Sequence, residues 1–187
     1  IKMGITTLNF FIFLIISVFI YYVFSKKHRW IILLVTSILF YLFSGAYTLL
    51  LYVLLGIVTT YIGTKFIEEK ASTEKLRKTA LFITLIIIIT ELFILKYINI
   101  IPVTINGILG IFNINIGLQK VNIIAPLGIS YYTLTLIGYT IDVYRGTSKP
   151  QKNIFKHALF TCYYPNLISG PIVRYEHMKK ELFEPKE

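Results

Sequence analysis

The chain has 187 residues, 56% of them hydrophobic, a mean hydropathy of +0.71 and 19 Lys and Arg against 9 Asp and Glu, for a net charge of +10. Its uncharged apolar runs are long enough to cross a bilayer, which a soluble domain of this size does not need, so composition assigns an integral membrane protein. The basic residues fall in short segments between those runs, where they set orientation and meet anionic headgroups; they do not form the stripe that nucleic-acid binding requires.

Ile5 to Phe24 is the first predicted span. It is longer than a signal-peptide core and leads into Lys26-Lys27-His28-Arg29 instead of a small-residue cleavage site, so it reads as retained. Trp30 to Thr64 then runs uncharged for what would be roughly 50 Å of helix, well beyond a hydrocarbon core of about 30 Å. It must fold back, and Ser44-Gly45 is the natural break, with Tyr41 and Tyr47 as interfacial anchors. Lys65 to Lys78, with five positive and three negative charges, reads as a polar connector. Ala80 to Ile101 is the fourth span, interrupted by Glu91 and Lys96 and ended by Pro102. Glu91 within it reads as a functional carboxylate, or as one that pairs with a neighbouring helix or faces water. Pro102 to Asn122 lacks a sustained run and predicts a surface loop with a short amphipathic helix over Val103 to Phe112.

Ile123 to Gly146 forms the fifth span and carries the densest chemistry. Its charges are Asp142 and Arg145, close enough for a helix-end ion pair, while Ser130, Thr133, Ile137, Thr140 and Tyr144 share one helical face and make a hydroxyl stripe. In lipid such a stripe must face protein or a water-filled cavity. Asn153 to Ile168 is apolar but short, and it holds His157, Pro165 and Asn166, which predicts a re-entrant or interfacial element. The fold class is therefore all-α, a polytopic transmembrane helical protein with about five spans plus that element. Twelve Lys and Arg lie on the side of the Lys26 to Arg29 segment and three on the other, which predicts a multi-pass cell-membrane protein with its N-terminus extracytoplasmic. Cys162, the single cysteine, has no internal disulfide partner and reads as a small packed residue; the sequence offers no metal site.

Two stretches carry a resemblance. Pro126-Leu127-Gly128-Ile129-Ser130-Tyr131-Tyr132-Thr133, continuing to Ile141-Asp142-Val143-Tyr144-Arg145-Gly146, is similar to one signature of the membrane-bound O-acyltransferase family, in its bacterial branch for alginate O-acetylation and D-alanyl transfer to teichoic acid. Leu134 stands where that signature usually has phenylalanine. Tyr163-Tyr164-Pro165-Asn166-Leu167-Ile168-Ser169-Gly170-Pro171-Ile172-Val173-Arg174-Tyr175 resembles the second signature, and Leu95-Lys96-Tyr97-Ile98-Asn99 and Arg29-Trp30 are weaker echoes.

The resemblance implies a polytopic enzyme that takes an acyl group from a cytoplasmic thioester, acyl-CoA or an acyl-carrier protein, and delivers it to an extracytoplasmic hydroxyl. The acceptor would be an exported glycan, reached directly or through a partner acetyltransferase, or a teichoic acid. A histidine acts there as general base. Residues 1–187 correspond to the N-terminal portion of such a domain, so the base is expected beyond residue 187 and the chain alone is expected not to turn over. His28, His157 and His177 do not match the family's catalytic position, although His157, one turn from Thr161, is within reach of a hydroxyl.

The candidate substrate-channel residues are Ser130, Tyr131, Tyr132, Tyr139, Asp142, Arg145, Pro165, Gly170, Pro171 and Arg174. Interhelical hydrogen bonding is the competing role for the hydroxyls, and lipid contact for Arg174. A transporter or flippase for a lipid-linked intermediate, or a non-catalytic assembly subunit, would use broken helices and intramembrane hydroxyls equally well.

Overall fold

The computed structural model describes residues 8–43, 47–111, 119, 128–169 and 173–183. Among these the regular structure is all helical: α1 (Leu8–Val23), a short turn at Lys26–His28, α2 (Arg29–Phe43), α3 (Tyr47–Lys65), α4 (Glu74–Leu92), α5 (Ile100–Ile111), α6 (Ile129–Tyr144), α7 (Ile154–Cys162), α8 (Tyr164–Ser169) and α9 (Tyr175–Phe183). One widened turn extends α3 over Phe66–Lys70 and another extends α4 over Phe93–Tyr97.

With those turns, Leu50–Lys70 and Glu74–Tyr97 are 21 and 24 residues long and apolar enough to cross a bilayer. The other expected spans appear among the described residues as helices of 15 or 16 residues. For α6 the cause is local. Gly128 (φ 81°) and Gly146 (φ 74°) hold left-handed conformations just outside its two ends, which ordinary side chains adopt at a cost. Sixteen residues rise only about 24 Å, short of a hydrocarbon core of about 30 Å.

Two connections also differ from expectation. The charged segment Lys65 to Lys78 is mostly helix: α3 runs through Glu68 and Glu69 to Lys70, α4 starts at Glu74, and residues 71–73 make the turn. The Thr73 hydroxyl accepts from Leu76 N at 3.3 Å and caps α4. Pro102 does not end the fourth span but sits in the first turn of α5, where its missing N–H is harmless. Helix α5 overlaps the short helix predicted over Val103 to Phe112 and buries none of its residues. The Ser44-Gly45 break lies outside the described residues.

Helices α3, α4 and α6 pack together, and α7 lies against α2, α3 and α6. Helix α6 runs antiparallel to α4 and is pinned to it along its length. Lys96 Nζ donates to Ser130 Oγ (2.9 Å) at one end, Tyr132 OH to Glu91 Oε1 (2.9 Å) nearby, and Tyr144 OH to Glu74 Oε1 (2.7 Å) at the other. Arg77 Nη2 adds a bond to Tyr144 O at 2.9 Å. Between α3 and α4 the backbones approach closely: a Cβ on Gly63 would overlap Thr84 Oγ1 and come within 2.9 Å of its Cγ2. Small residues at such a crossing let lipid-embedded helices gain packing that hydrophobicity does not supply. The outward faces are greasy, with Phe82, Ile86, Ile89 and Phe93 of α4 exposed. In water they would be an aggregation liability; in lipid they are the expected surface.

Helix α7 is the predicted short element, and it is buried in protein. His157, Leu159, Phe160, Thr161 and Cys162 are all covered. The chain turns at Tyr163, and the Tyr164 N–H freed by that turn lies 3.4 Å from Ser37 Oγ of α2, which accepts from it. Asn153 caps the start of α7, its Oδ1 accepting from Phe155 N at 2.9 Å and Lys156 N at 3.4 Å. Asn153→Ala should lower the stability of the solubilised protein by about 1 kcal/mol, and Asn153→Asp should not, as read from urea or thermal unfolding.

Candidate functional site

Three buried polar groupings lie along α6 and α7. The first surrounds a cavity of about 230 Å³ lined by Thr135, Gly138, Tyr139, Ile141, Asp142, Val173, Arg174 and Tyr175. It brings Tyr139, Asp142 and Arg174, from the two signature stretches, to one concavity. Gln151 organises its wall: its backbone N–H donates to Tyr139 OH (2.8 Å) and its side-chain Nε2 to Tyr175 OH (2.6 Å). The two tyrosine rings lie 4.9 Å apart. Burial pushes the Tyr175 hydroxyl above the ordinary phenol range, so it stays protonated and serves as a hydrogen-bonding wall, not as a base. Asp142 is half-buried and Arg174 exposed at the rim, which puts a carboxylate and a guanidinium on one small opening.

The second grouping is His157 with Thr60. His157 is 0% exposed, and its Nε2 lies 2.7 Å from Thr60 Oγ1. Thr60 already donates to Gly56 O at 2.8 Å, so it accepts from the histidine, which fixes the Nε2–H tautomer. Nδ1 is buried without a hydrogen-bond partner among the described residues. Tyr139 (ring centroid at 5.0 Å), Tyr61 (6.2 Å) and Phe160 (6.3 Å) enclose the imidazole. So caged, His157 supports the back of the Tyr139 wall and does not reach an external hydroxyl.

The third is the Glu91–Tyr132 contact between α4 and α6. Tyr132 is 0% and Glu91 6% exposed, and among the described residues Glu91 Oε2 has no hydrogen-bond partner. Glu91 also borders a separate, almost wholly apolar cavity of about 290 Å³ between α3 and α4. Of the two roles open to Glu91, pairing across helices is the one seen.

The hydroxyl stripe faces protein, but much of its hydrogen bonding turns inward. Within it Thr133 donates to Ile129 O (2.7 Å) and Thr140 to Leu136 O (2.7 Å), each back onto the preceding turn; Thr135, on another face, does the same to Tyr131 O (3.0 Å). Tyr131 is half-buried and packs against the main core. The expected Asp142–Arg145 ion pair does not form; among the described residues the ion pairs are Arg77–Glu74 and Lys179–Glu176. Arg145 caps α6 with its backbone, N–H to Ile141 O at 2.9 Å, and its side chain is exposed past the helix end. Pro165 lines a different cavity, between α1, α2 and α8–α9. Gly170 and Pro171 lie outside the described residues. Ser130 and Tyr132 are separated from Asp142 by ten to twelve positions along α6, roughly 15–18 Å, so the candidates mark a path more than a single point. Gln151 and Thr60 are partners that residue patterns did not single out, and the bond from Lys96 to Ser130 was not foreseen.

These features define an all-α, membrane-embedded helical protein with a polar seam buried between its helices. No family model matches the chain, and no solved structure does. Curated relatives do. It is 31% identical over 175 residues to the probable alginate O-acetylase AlgI of Pseudomonas aeruginosa, covering 91% of this chain and 33% of that protein. It is 29% identical to the AlgI of Pseudomonas syringae pv. tomato over 175 residues, and 28% identical to that of Azotobacter vinelandii over 172 residues. Each of these alignments again covers 91% of this chain, and 33% and 34% of the relatives. The likeness to these alginate O-acetylases extends over nearly the whole chain, which spans about a third of the length of the relatives it matches.

Proposed function

We propose that the chain is the N-terminal portion of a membrane-bound O-acyltransferase that moves an acyl group, acetyl before D-alanyl, from a cytoplasmic thioester to hydroxyls of an extracytoplasmic polysaccharide. The observation that carries this reading is the likeness to AlgI over 91% of the chain, in a sequence that also holds two stretches similar to the family's signatures. In it, α1 to α4 and α6 are five crossings with the N-terminus outside, and α7–α8 is the re-entrant element. Short or interrupted helices are admissible at membrane depth where protein surrounds them, as it does α7.

The chemistry follows from the compartments. A thioester is activated but confined to the cytoplasm, while the glycan lies outside, so a protein-lined path lets both meet. The acceptor hydroxyl attacks the thioester carbonyl; a C–O bond forms, the C–S bond breaks, and the hydroxyl proton passes to a histidine supplied from elsewhere in the complete enzyme. Buried His157, its Nε2–H committed to Thr60, is not that base. Asp142, Arg145 and Arg174 shape the cytoplasmic mouth, with Arg174 available to a donor phosphate. Tyr139 forms the wall behind it, and Ser130, Tyr131 and Tyr132 stand towards the other end of α6; Pro165, Gly170 and Pro171 shape the re-entrant backbone.

The test is transfer of labelled acyl groups from candidate donors to glycan by the complete protein in vesicles. Acetyl transfer is expected there and none by the 187-residue chain alone; turnover by the isolated chain would defeat the assignment of the base. In the complete protein, Arg174→Gln should raise the KM for the donor about tenfold, the worth of one charge-assisted hydrogen bond, with kcat little changed.

A further inference from the structure

A larger concavity with polar lining than the one beside Asp142 is a cavity of about 400 Å³ between α1, α2 and α8–α9. Its wall is graded. Leu14, Val18 and Leu33 line it with hydrocarbon, and Tyr21, Tyr22 and Tyr163 bring hydroxyl-bearing rings. From Leu14 to Tyr22 the α1 wall rises about 12 Å. Beyond Leu14, Phe10, Phe13, Phe40 and Tyr164 pack ring to ring, with centroids 5.3–6.3 Å apart, and close the deep end.

The other end meets the basic turn after α1. The Arg29 guanidinium sits 5.1 Å from the centroid of Tyr21 and 5.4 Å from that of Tyr22, which ties it to two residues of the cavity wall. Its Nε donates to Phe24 O at 3.3 Å, and its two terminal nitrogens make no bond among the described residues. That is the fork geometry that takes a phosphate through two parallel hydrogen bonds. Lys26 and Lys27, both exposed, carry further positive charge on the same turn, and among the described residues Glu181 is the one carboxylate on the lining. Arg29 is thus the cation tied to the wall, on a turn that carries two further positive charges.

We propose that this cavity holds one anionic phospholipid, with an acyl chain along Leu14, Val18 and Leu33 and its phosphate on Arg29. A greasy slot closed at depth and ending on cationic and phenolic groups is complementary to such a lipid and to its place at the membrane surface. The tyrosines sit where amphipathic rings favour the interface. Charge complementarity selects the anionic lipid over a zwitterionic one, and the apolar wall selects a lipid over free phosphate.

The experiment is mass spectrometry of the complete protein released from nanodiscs of phosphatidylglycerol or phosphatidylcholine, with thermal unfolding in each. Phosphatidylglycerol should be retained at one copy and raise the unfolding temperature. Arg29→Gln should weaken retention about tenfold, a loss typical of one charge-assisted contact. Val18→Trp, placed at an exposed wall position, should abolish retention by filling the slot while the protein still folds. Equal retention of phosphatidylcholine, retention unaffected by both substitutions, equal stabilisation by inorganic phosphate, or an absence of bound lipid because another part of the complete enzyme occupies the slot would each overturn the proposal.

Discussion

His157→Ala should destabilise the solubilised protein by about 3–4 kcal/mol, the largest loss expected of any single change considered for this chain. Two effects add. Removing a fully buried ring leaves a void among Tyr139, Tyr61 and Phe160 that close-packed neighbours fill only in part. It also removes the link from α7 to Thr60 of α3. Because the Thr60 hydroxyl keeps its bond to Gly56 O, the threonine is not orphaned, and the void dominates the cost. His157→Gln, which can still offer a donor to Thr60 and fills more of the space, should recover roughly half of the loss. The measurement is denaturant or thermal unfolding of the three forms side by side. If alanine cost less than about 1 kcal/mol, α7 would not be fastened to the bundle through this residue. Tyr139 stacks on the imidazole and lines the cavity beside Asp142, so the same substitution should loosen that wall.

The chain yields its fold class from hydropathy alone because lipid demands long apolar helices, and the apolar runs behind α1 to α4 and α6 stand out at once. Helix ends were harder to place. The charges of Lys65 to Lys78 look like a loop, yet charged side chains on the last turn of α3 and the first turn of α4 can project from the bundle while the backbone stays helical, so polarity there marks the membrane boundary and not the end of the helix. Gly128 could be seen as a break only through its left-handed φ, which residue type suggests and does not decide. The hydroxyl stripe was legible as a face, but not where each proton goes. A threonine in a helix can bond backward onto its own turn, and Thr133, Thr135 and Thr140 all do. Contacts between distant residues leave no local trace: Thr60 and His157 are 97 positions apart, and Tyr132 and Glu91 are 41 apart. The Asp142–Arg145 pair was inferred from spacing that only a continuing helix would honour, and α6 stops at Tyr144.

Tyr132→Phe should cost about 2–3 kcal/mol, nearly all of it recovered when Glu91→Leu is added. The hydroxyl removed is small and the ring stays, so packing loss is slight. What changes is that Glu91, already without a partner on Oε2, loses its donor on Oε1 and becomes a buried carboxyl with nothing bonded to either oxygen. Leaving one half of a buried polar pair is the expensive case, whereas replacing both halves by apolar groups of similar volume is nearly neutral. Glu91→Leu alone strands the Tyr132 hydroxyl and should cost about 1–2 kcal/mol. On one side the fit is tight: a Cβ on Gly56 would lie 2.9 Å from Leu136 Cδ1, 3.5 Å from Glu91 Oε2 and 3.6 Å from Tyr132 Cε2, so α3 packs closely against the pair. A double-mutant cycle by thermal unfolding in one detergent should therefore show the double variant more stable than Tyr132→Phe, with a coupling of about 3–5 kcal/mol. Additive losses would mean that the two side chains touch without depending on one another. In that event the α4–α6 seam would be held by Lys96 on Ser130 and Tyr144 on Glu74, and not by the Tyr132–Glu91 contact.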